Sequence, residues 1–207
     1  MYSVKEIYKT IQGEGAQAGR TAVFVRFSGC NLWTGKEQHK ESSVCNFCDT
    51  DFLGVDGLNG GKYSKEELVN KINDLWGSSD NKLIVFTGGE PMLQLDAALI
   101  DECKKFKFET AIETNGTINI DFHIDWICVS PKHGSELVVT EGDELKVVFP
   151  QDGQEIENFL DLSFDYLFLQ PMDGDNIQEN TQKTIQYCLK NPKWRLSIQK
   201  HKLIGMP

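Results

Sequence analysis

Leu83–Ile84–Val85–Phe86–Thr87–Gly88–Gly89–Glu90–Pro91 decides how this chain is built. Its first five residues, four of them apolar, read as a strand; the glycine pair and proline that follow end it. Leu95, Leu99, Ile100, Cys103 and Phe106 then recur at helical spacing, which predicts a helix over Leu93–Phe106 and a second strand at Thr110–Glu113. Working outward, further strands are expected at Ala22–Phe27, Trp126–Val129, Leu145–Phe149, Tyr166–Leu169 and Arg195–Gln199. Helices are expected at Lys65–Trp76, where Ser64 and Glu67 can form a capping box, and at Ile177–Leu189. Strand and helix in alternation mean an α/β fold with a mostly parallel sheet. The last strands have little or no helix between them, so the pattern falls short of a full eight-fold barrel. No repeat, low-complexity tract or linker divides the chain, and residues 1–207 read as a single domain.

The composition narrows the function. With 40% hydrophobic and 25% charged residues, the 207-residue chain has ordinary globular make-up. A net charge of −10 is the wrong sign for a nucleic-acid binder. No apolar run approaches a membrane span, and Lys5, Glu6, Lys9, Glu14 and Arg20 interrupt the start, so a cytoplasmic address is expected.

Polar and glycine-containing segments repeatedly follow the expected strands: Cys30, Gly88–Pro91, Glu113–Gly116, Ser130–Lys132, Gln170–Asp173 and Lys200–His201. Ligands of parallel α/β folds sit at the carboxyl ends of the strands, so these segments mark one edge as a site. On the first of these strands Arg26 shares a face with Phe24 and Ser28, opposite Val23, Val25 and Phe27. An arginine turned into a barrel needs an anion, and a carboxylate fits its bidentate fork.

Just behind that strand, Cys30, Cys45 and Cys48 form C-x14-C-x2-C. Three thiolates suit an iron–sulfur cluster with one iron left open, or a zinc ion completed by His39. Cys103, Cys128 and Cys188 fall on apolar faces and read as small core residues. Two shorter matches lead nowhere. Gly61–Lys62 lacks the glycine spacing of a phosphate loop, and Gln12–Gly15 is too short for a dinucleotide fingerprint.

Together the motifs resemble the radical S-adenosylmethionine (SAM) superfamily and, within it, the 7-carboxy-7-deazaguanine synthase family. The resemblance runs through Ile11–Gly15, Val25–Phe27, Gly29–Trp33, Cys48–Asp51, Thr87–Pro91, Ile112–Gly116, Ser130–Lys132, Gln170–Asp173 and the end at Pro207. The superfamily's usual cluster motif is C-x3-C-x2-C; residues 34–44 enlarge the first gap here and read as an inserted cluster loop, as in a subset of the family.

The resemblance implies a partial (β/α) barrel of radical SAM type with fewer helices than strands, and a homodimer. It implies that Cys30, Cys45 and Cys48 hold a [4Fe-4S] cluster whose open iron is chelated by SAM. SAM would also meet Phe47, Cys48 and Asp49, the Gly88–Gly89–Glu90 turn, Ser130, Pro131 and Lys132, and Gln170, Pro171, Met172 and Asp173. The implied substrate, 6-carboxy-5,6,7,8-tetrahydropterin, would contact Ile11, Gln12, Gly13, Arg26, Thr87, His201 and Pro207, with Thr50 as the Mg²⁺ ligand. The implied reaction is hydrogen abstraction at C6, radical ring contraction and loss of ammonia, giving 7-carboxy-7-deazaguanine for queuosine and other 7-deazapurines. A flavodoxin or ferredoxin would donate the electron.

Overall fold

The computed structural model describes residues 1–206, and Pro207 lies outside them. The described residues form one nine-stranded sheet: β1 Tyr2–Ile11, β2 Thr21–Phe27, β3 Gly61–Tyr63, β4 Leu83–Gly88, β5 Glu109–Thr114, β6 Trp126–Val129, β7 Glu141–Phe149, β8 Ser163–Pro171 and β9 Arg195–Leu196. The spatial order is β3-β1-β2-β4-β5-β6-β7-β8-β9. β1 runs antiparallel to both of its neighbours, and from β2 onward every pairing is parallel.

Three α-helices connect these strands, α1 Lys65–Trp76, α2 Ala97–Lys105 and α3 Ile177–Lys190, and α4 Lys200–Ile204 follows β9. Helices are fewer than strands because β5–β6 and β6–β7 are joined by loops, and β7–β8 by a 3-10 turn at Ile156–Asp161. α1 has the bounds its periodicity predicts. Ser64 Oγ accepts from Glu67 N at 3.2 Å, and Glu67 Oε2 accepts from Ser64 N at 2.7 Å. α2 begins four residues later than expected. Pro91–Leu93 forms a separate 3-10 turn, and Asp96 caps the helix by accepting from Leu99 N at 2.9 Å. α3 buries Asn180 and Thr184 and exposes Leu189, because Asn180 Nδ2 donates to Met172 O at 2.9 Å and ties the helix to the end of β8.

The helices cover one face of the sheet. There Val23, Val25 and Phe27 of β2, with Ile84 and Phe86 of β4 and Ile112 of β5, pack against Leu68 and Ile72 of α1 and Leu99 of α2. Each such fully buried side chain contributes roughly 1.5–3 kcal/mol. The alternate residues face the other way. Ala22, Leu83, Val85 and Ala111 make a small apolar layer there, and above it the same face turns polar.

The two ends of the sheet are joined through the loops that leave them. Lys200 N donates to Gly13 O at 3.1 Å, Gln199 Nε2 to Glu14 Oε1 at 3.0 Å, and Gly15 N to Ser197 Oγ at 3.0 Å. The sheet is therefore a curled, partial barrel. β9 is shorter than the expected Arg195–Gln199, because the chain turns after Ser197 to make these contacts and enters α4.

Candidate active site

Inside the curl lies a cavity of about 420 Å³ at the carboxyl ends of the parallel strands. Every residue given a role by the family resemblance lines it, apart from Glu90, which is fully buried behind its turn, Pro131, Met172 and the undescribed Pro207. Met172 works through its backbone, with N donating to Phe149 O at 2.8 Å and O accepting from Asn180.

The three thiols of the long loop come to this cavity from one side. Cys45 is buried, and Cys30 and Cys48 are partly so. Their electrostatics are set by the backbone. Burial pushes the Cys30 thiol up, and amide N–H groups of Leu32 and Trp33 work against it, Leu32 N lying 3.4 Å from Sγ. Cys45 and Cys48 share a hydrogen bond that raises Cys45 and brings Cys48 down to about 6, with the Thr50 N–H also favouring the Cys48 thiolate. Amides aimed at sulfur are how proteins tune iron–sulfur clusters, so the donor set fits such a group. The zinc alternative loses its fourth ligand. His39 bonds Thr34 Oγ1 at 2.8 Å and Gln38 Nε2 at 3.1 Å on an exposed turn, and it does not line the cavity. Buried Trp33 and Phe52 meet edge to face at 5.4 Å and make an apolar wall beside the loop.

The Gly88–Gly89 turn explains how β4 comes so close to the cysteine loop. Gly88 has φ 147°, and a Cβ on Gly89 would lie 2.2 Å from Gly29 O and 2.7 Å from Cys30 Cβ. Only glycine lets the backbone pass there. Behind the turn, fully buried Glu90 accepts from Met92 N (2.9 Å), Thr114 Oγ1 (2.7 Å) and Asn115 N (2.8 Å). Asn115 Nδ2 then donates to Asn31 Oδ1 at 2.9 Å, so the turn, the end of β5 and the cysteine loop form one connected unit.

Comparison with known proteins settles the lineage. No family model matches the chain. It is 54% identical over 208 residues to the 7-carboxy-7-deazaguanine synthase of Caulobacter vibrioides, covering 100% of this chain and 99% of that protein. To the synthase of the same name from Bradyrhizobium diazoefficiens it is 55% identical over 207 residues, covering 99% of each. The chain belongs to the 7-carboxy-7-deazaguanine synthase family. Its fold agrees with the crystal structure of QueE from Escherichia coli: TM-score 0.73 at 27% identity, over 97% of this chain and 94% of that one.

In this synthase-family chain, Arg26 does turn into the cavity, yet it already has partners. Its Nε donates to Glu6 Oε1 at 2.8 Å and its Nη2 to Tyr8 OH at 3.1 Å. Lys132 Nζ folds back onto Ser130 Oγ (2.6 Å) and Ser130 O (2.7 Å). Thr50 sits half-buried at the cavity rim beside Asp49. His201, at the start of α4, closes over Gly13, where a Cβ would lie 2.2 Å from His201 Nδ1. Burial pushes the His201 imidazole down, towards the neutral form. Lys202 Nζ ties α4 to Asp49 (2.6 Å) and Asp173 (2.5 Å).

Sequence reasoning missed Glu6, Tyr8, Glu14, Lys146 and Lys202, all of which line the cavity. For the first two the cause is a register shift in β1 between Val4 and Glu6. It sets Val4 and Ile7 on the same helix-covered face, and an odd spacing of that kind erases the period-2 signal. Lys146 left a usable trace. It alternates with Leu145 and Val147 in a parallel strand, the same pattern that singled out Arg26.

Proposed function

We propose that this chain is a radical SAM lyase that converts 6-carboxy-5,6,7,8-tetrahydropterin to 7-carboxy-7-deazaguanine, with ring contraction and loss of ammonia, on the route to queuosine and related 7-deazapurines. The observation that carries the reading is one cavity with thiols and a glycine turn on one side and fixed, paired charges on the others. Cys30, Cys45 and Cys48 would hold the [4Fe-4S] cluster, and Gly88, Gly89, Ser130, Lys132, Gln170 and Asp173 are the groups available to SAM. When bound, cluster and SAM supply one-electron reduction and hydrogen-atom abstraction.

The chain's own residues do the rest. The Arg26 guanidinium, steadied by Glu6 and Tyr8, offers its remaining N–H groups to the substrate carboxylate. Gln12, Gly13 and Thr87 line the same space, and His201 covers it from α4. Trp33 and Phe52 keep water from the thiols. Thr50 offers a hydroxyl to Mg²⁺, which prefers oxygen and retains its own waters. In this reading a flavodoxin or ferredoxin supplies electrons and the enzyme works as a homodimer. Six free cysteines suit the reducing cytoplasm. No helix among the described residues is long and apolar enough to cross a membrane.

The test is anaerobic reconstitution with iron and sulfide, followed by incubation with the pterin, SAM and a reductant. Brown protein, 5′-deoxyadenosine chemistry and the mass of 7-carboxy-7-deazaguanine are expected. Protein that retains no iron, or iron-loaded protein that yields no such product, would overturn the reading.

A further inference from the structure

Lys146 stands in the middle of the parallel sheet with its side chain only 5% exposed, and its ammonium is held by two carboxylates: Glu14 Oε2 at 2.7 Å and Glu113 Oε2 at 2.8 Å. All three line the cavity. The second oxygens of both acids are fixed by amides, Glu14 Oε1 by Gln199 Nε2 at 3.0 Å and Glu113 Oε1 by Gln12 Nε2 at 3.2 Å. Two residues along the same strand face, buried Glu144 accepts from Ala16 N at 2.9 Å and lies 3.6 Å from Cys128 Sγ. Burial works against ionisation of Glu14, yet Lys146 outweighs it and holds the acid down to about 2. Burial would likewise lower the Lys146 ammonium, but Cys128, Glu113, Glu14 and Glu144 carry it well above its usual range. For Glu144 burial prevails and pushes the acid up, towards the neutral form. Two carboxylates therefore face one ammonium, and acceptor oxygens outnumber the cation in this wall.

Such a cluster is a poor way to hold a fold together, since well-packed apolar residues do as well or better. The layer beneath it, Ala22, Leu83, Val85 and Ala111, is packed that way. Arg26 lines the same cavity from β2, its guanidinium shared with Glu6 and Tyr8. The site is thus polarised, with a guanidinium on β2 and an acid wall centred on β7. A ligand matching both ends carries a carboxylate and, apart from it, a planar edge of adjacent N–H donors. The 2-amino-4-oxopyrimidine edge of a pterin presents such donors.

We propose that Lys146 is a positioning residue that sets the Glu14 and Glu113 carboxylates as the wall reading the amino-pyrimidinone edge of the substrate. The inference rests on the substrate assigned above. Its test uses reconstituted enzyme with SAM, and titrates 6-carboxypterin against 6-carboxylumazine, in which an oxo group replaces the 2-amino group, by calorimetry. A buried acceptor left unpaired by the lumazine gives the wild type a preference of about 30-fold or more for the pterin. Lys146→Met keeps iron content and SAM affinity, weakens the pterin about tenfold or more, raises KM more than it lowers kcat, and compresses the preference to about threefold or less. Lys146→Arg recovers most of the preference. An undiminished preference in Lys146→Met overturns the proposal even where stability falls. Equal binding of both ligands by wild type overturns the wall and leaves the substrate assignment standing, whereas binding of neither overturns both. Should Lys146→Met fail to fold, Glu113→Gln, which retains the Lys146–Glu14 pair, must show the same compression, and an unchanged preference there overturns the idea equally.

Discussion

The two sides of the cavity are built in opposite ways. On the thiol side, the cysteine loop and the Gly88–Gly89 turn are positioned by backbone and by buried Glu90, and the Cys30 and Cys48 sulfurs meet amide N–H groups. On the far side, Lys146, Glu14 and Glu113 neutralise much of one another on rigid strands and the loops they pin. The first side keeps donors for an incoming group. The second has its one cation satisfied by its own acids and presents fixed carboxylate acceptors. The contrast teaches that one site can be pre-organised in two ways, by backbone amides and tight turns on one side and by mutually paired side chains on the other.

Cys45→Ala should break the thiol side most completely. We expect no detectable iron–sulfur absorbance and a turnover loss of at least about a thousandfold, roughly 4 kcal/mol in the barrier. The thermal midpoint should hardly move, since Cys45 serves the loop and not the sheet. Turnover surviving in this variant would remove the cluster from the account.

Acid should probe the opposite wall. The folded Glu14 carboxyl is held near 2 against an ordinary value of 4.5. A depressed acid adds stability above its unfolded value and loses it as pH falls through the folded one. That window runs from about 4.5 down to about 2, and the loss amounts to at most about 3 kcal/mol. Urea midpoints measured across it should fall steeply for wild type and more shallowly for Glu14→Gln; parallel slopes would show that the wall is not ionised as described.

Gly89→Ala returns to the thiol side. The added Cβ meets Gly29 backbone, which has no flexible end to move aside, so a destabilisation of about 1–3 kcal/mol is expected together with weakened iron retention. Normal denaturant stability would mean that the turn is looser than it stands here. Arg26→Lys should keep the fold and raise pterin KM about tenfold, because an ammonium cannot bridge Glu6, Tyr8 and a carboxylate at once. Steady-state kinetics with an unaltered KM would take Arg26 out of substrate binding. The smallest effect belongs to Lys202→Met. Its ion pairs to Asp49 and Asp173 are 40% exposed on the lysine side and screened, so the change in stability should stay below about 1 kcal/mol and shrink further in added salt.

How far the sequence carried depends on which residues are considered. β6 at Trp126–Val129 and α1 at Lys65–Trp76 have the bounds that composition and capping predict, since their signals are local. Arg26 and Gly89 stand out because each is an unusual residue in or just after a strand, and the cysteine trio because of its spacing along one loop. Ser197 and Gln199 were read as part of a strand, although the first supports the loop after β1 and the second bonds Glu14. Nothing local distinguishes a polar residue in a strand from one in the turn that follows it.

The chain's amino acids alone therefore determined the alternation of strands and helices, the edge that carries the cavity and the three thiols beside it. These follow from short-range periodicity, turn chemistry and spacing. Only the folded molecule decided that the sheet curls until the loop after β1 meets the segment after β9, and that His39 bonds Thr34 and Gln38 instead of lining the cavity. It alone gathered Lys146, Glu14 and Glu113 into a single wall. Those contacts join residues as many as 187 positions apart, and their pairing depends on how the whole sheet closes, which no stretch of chain encodes by itself.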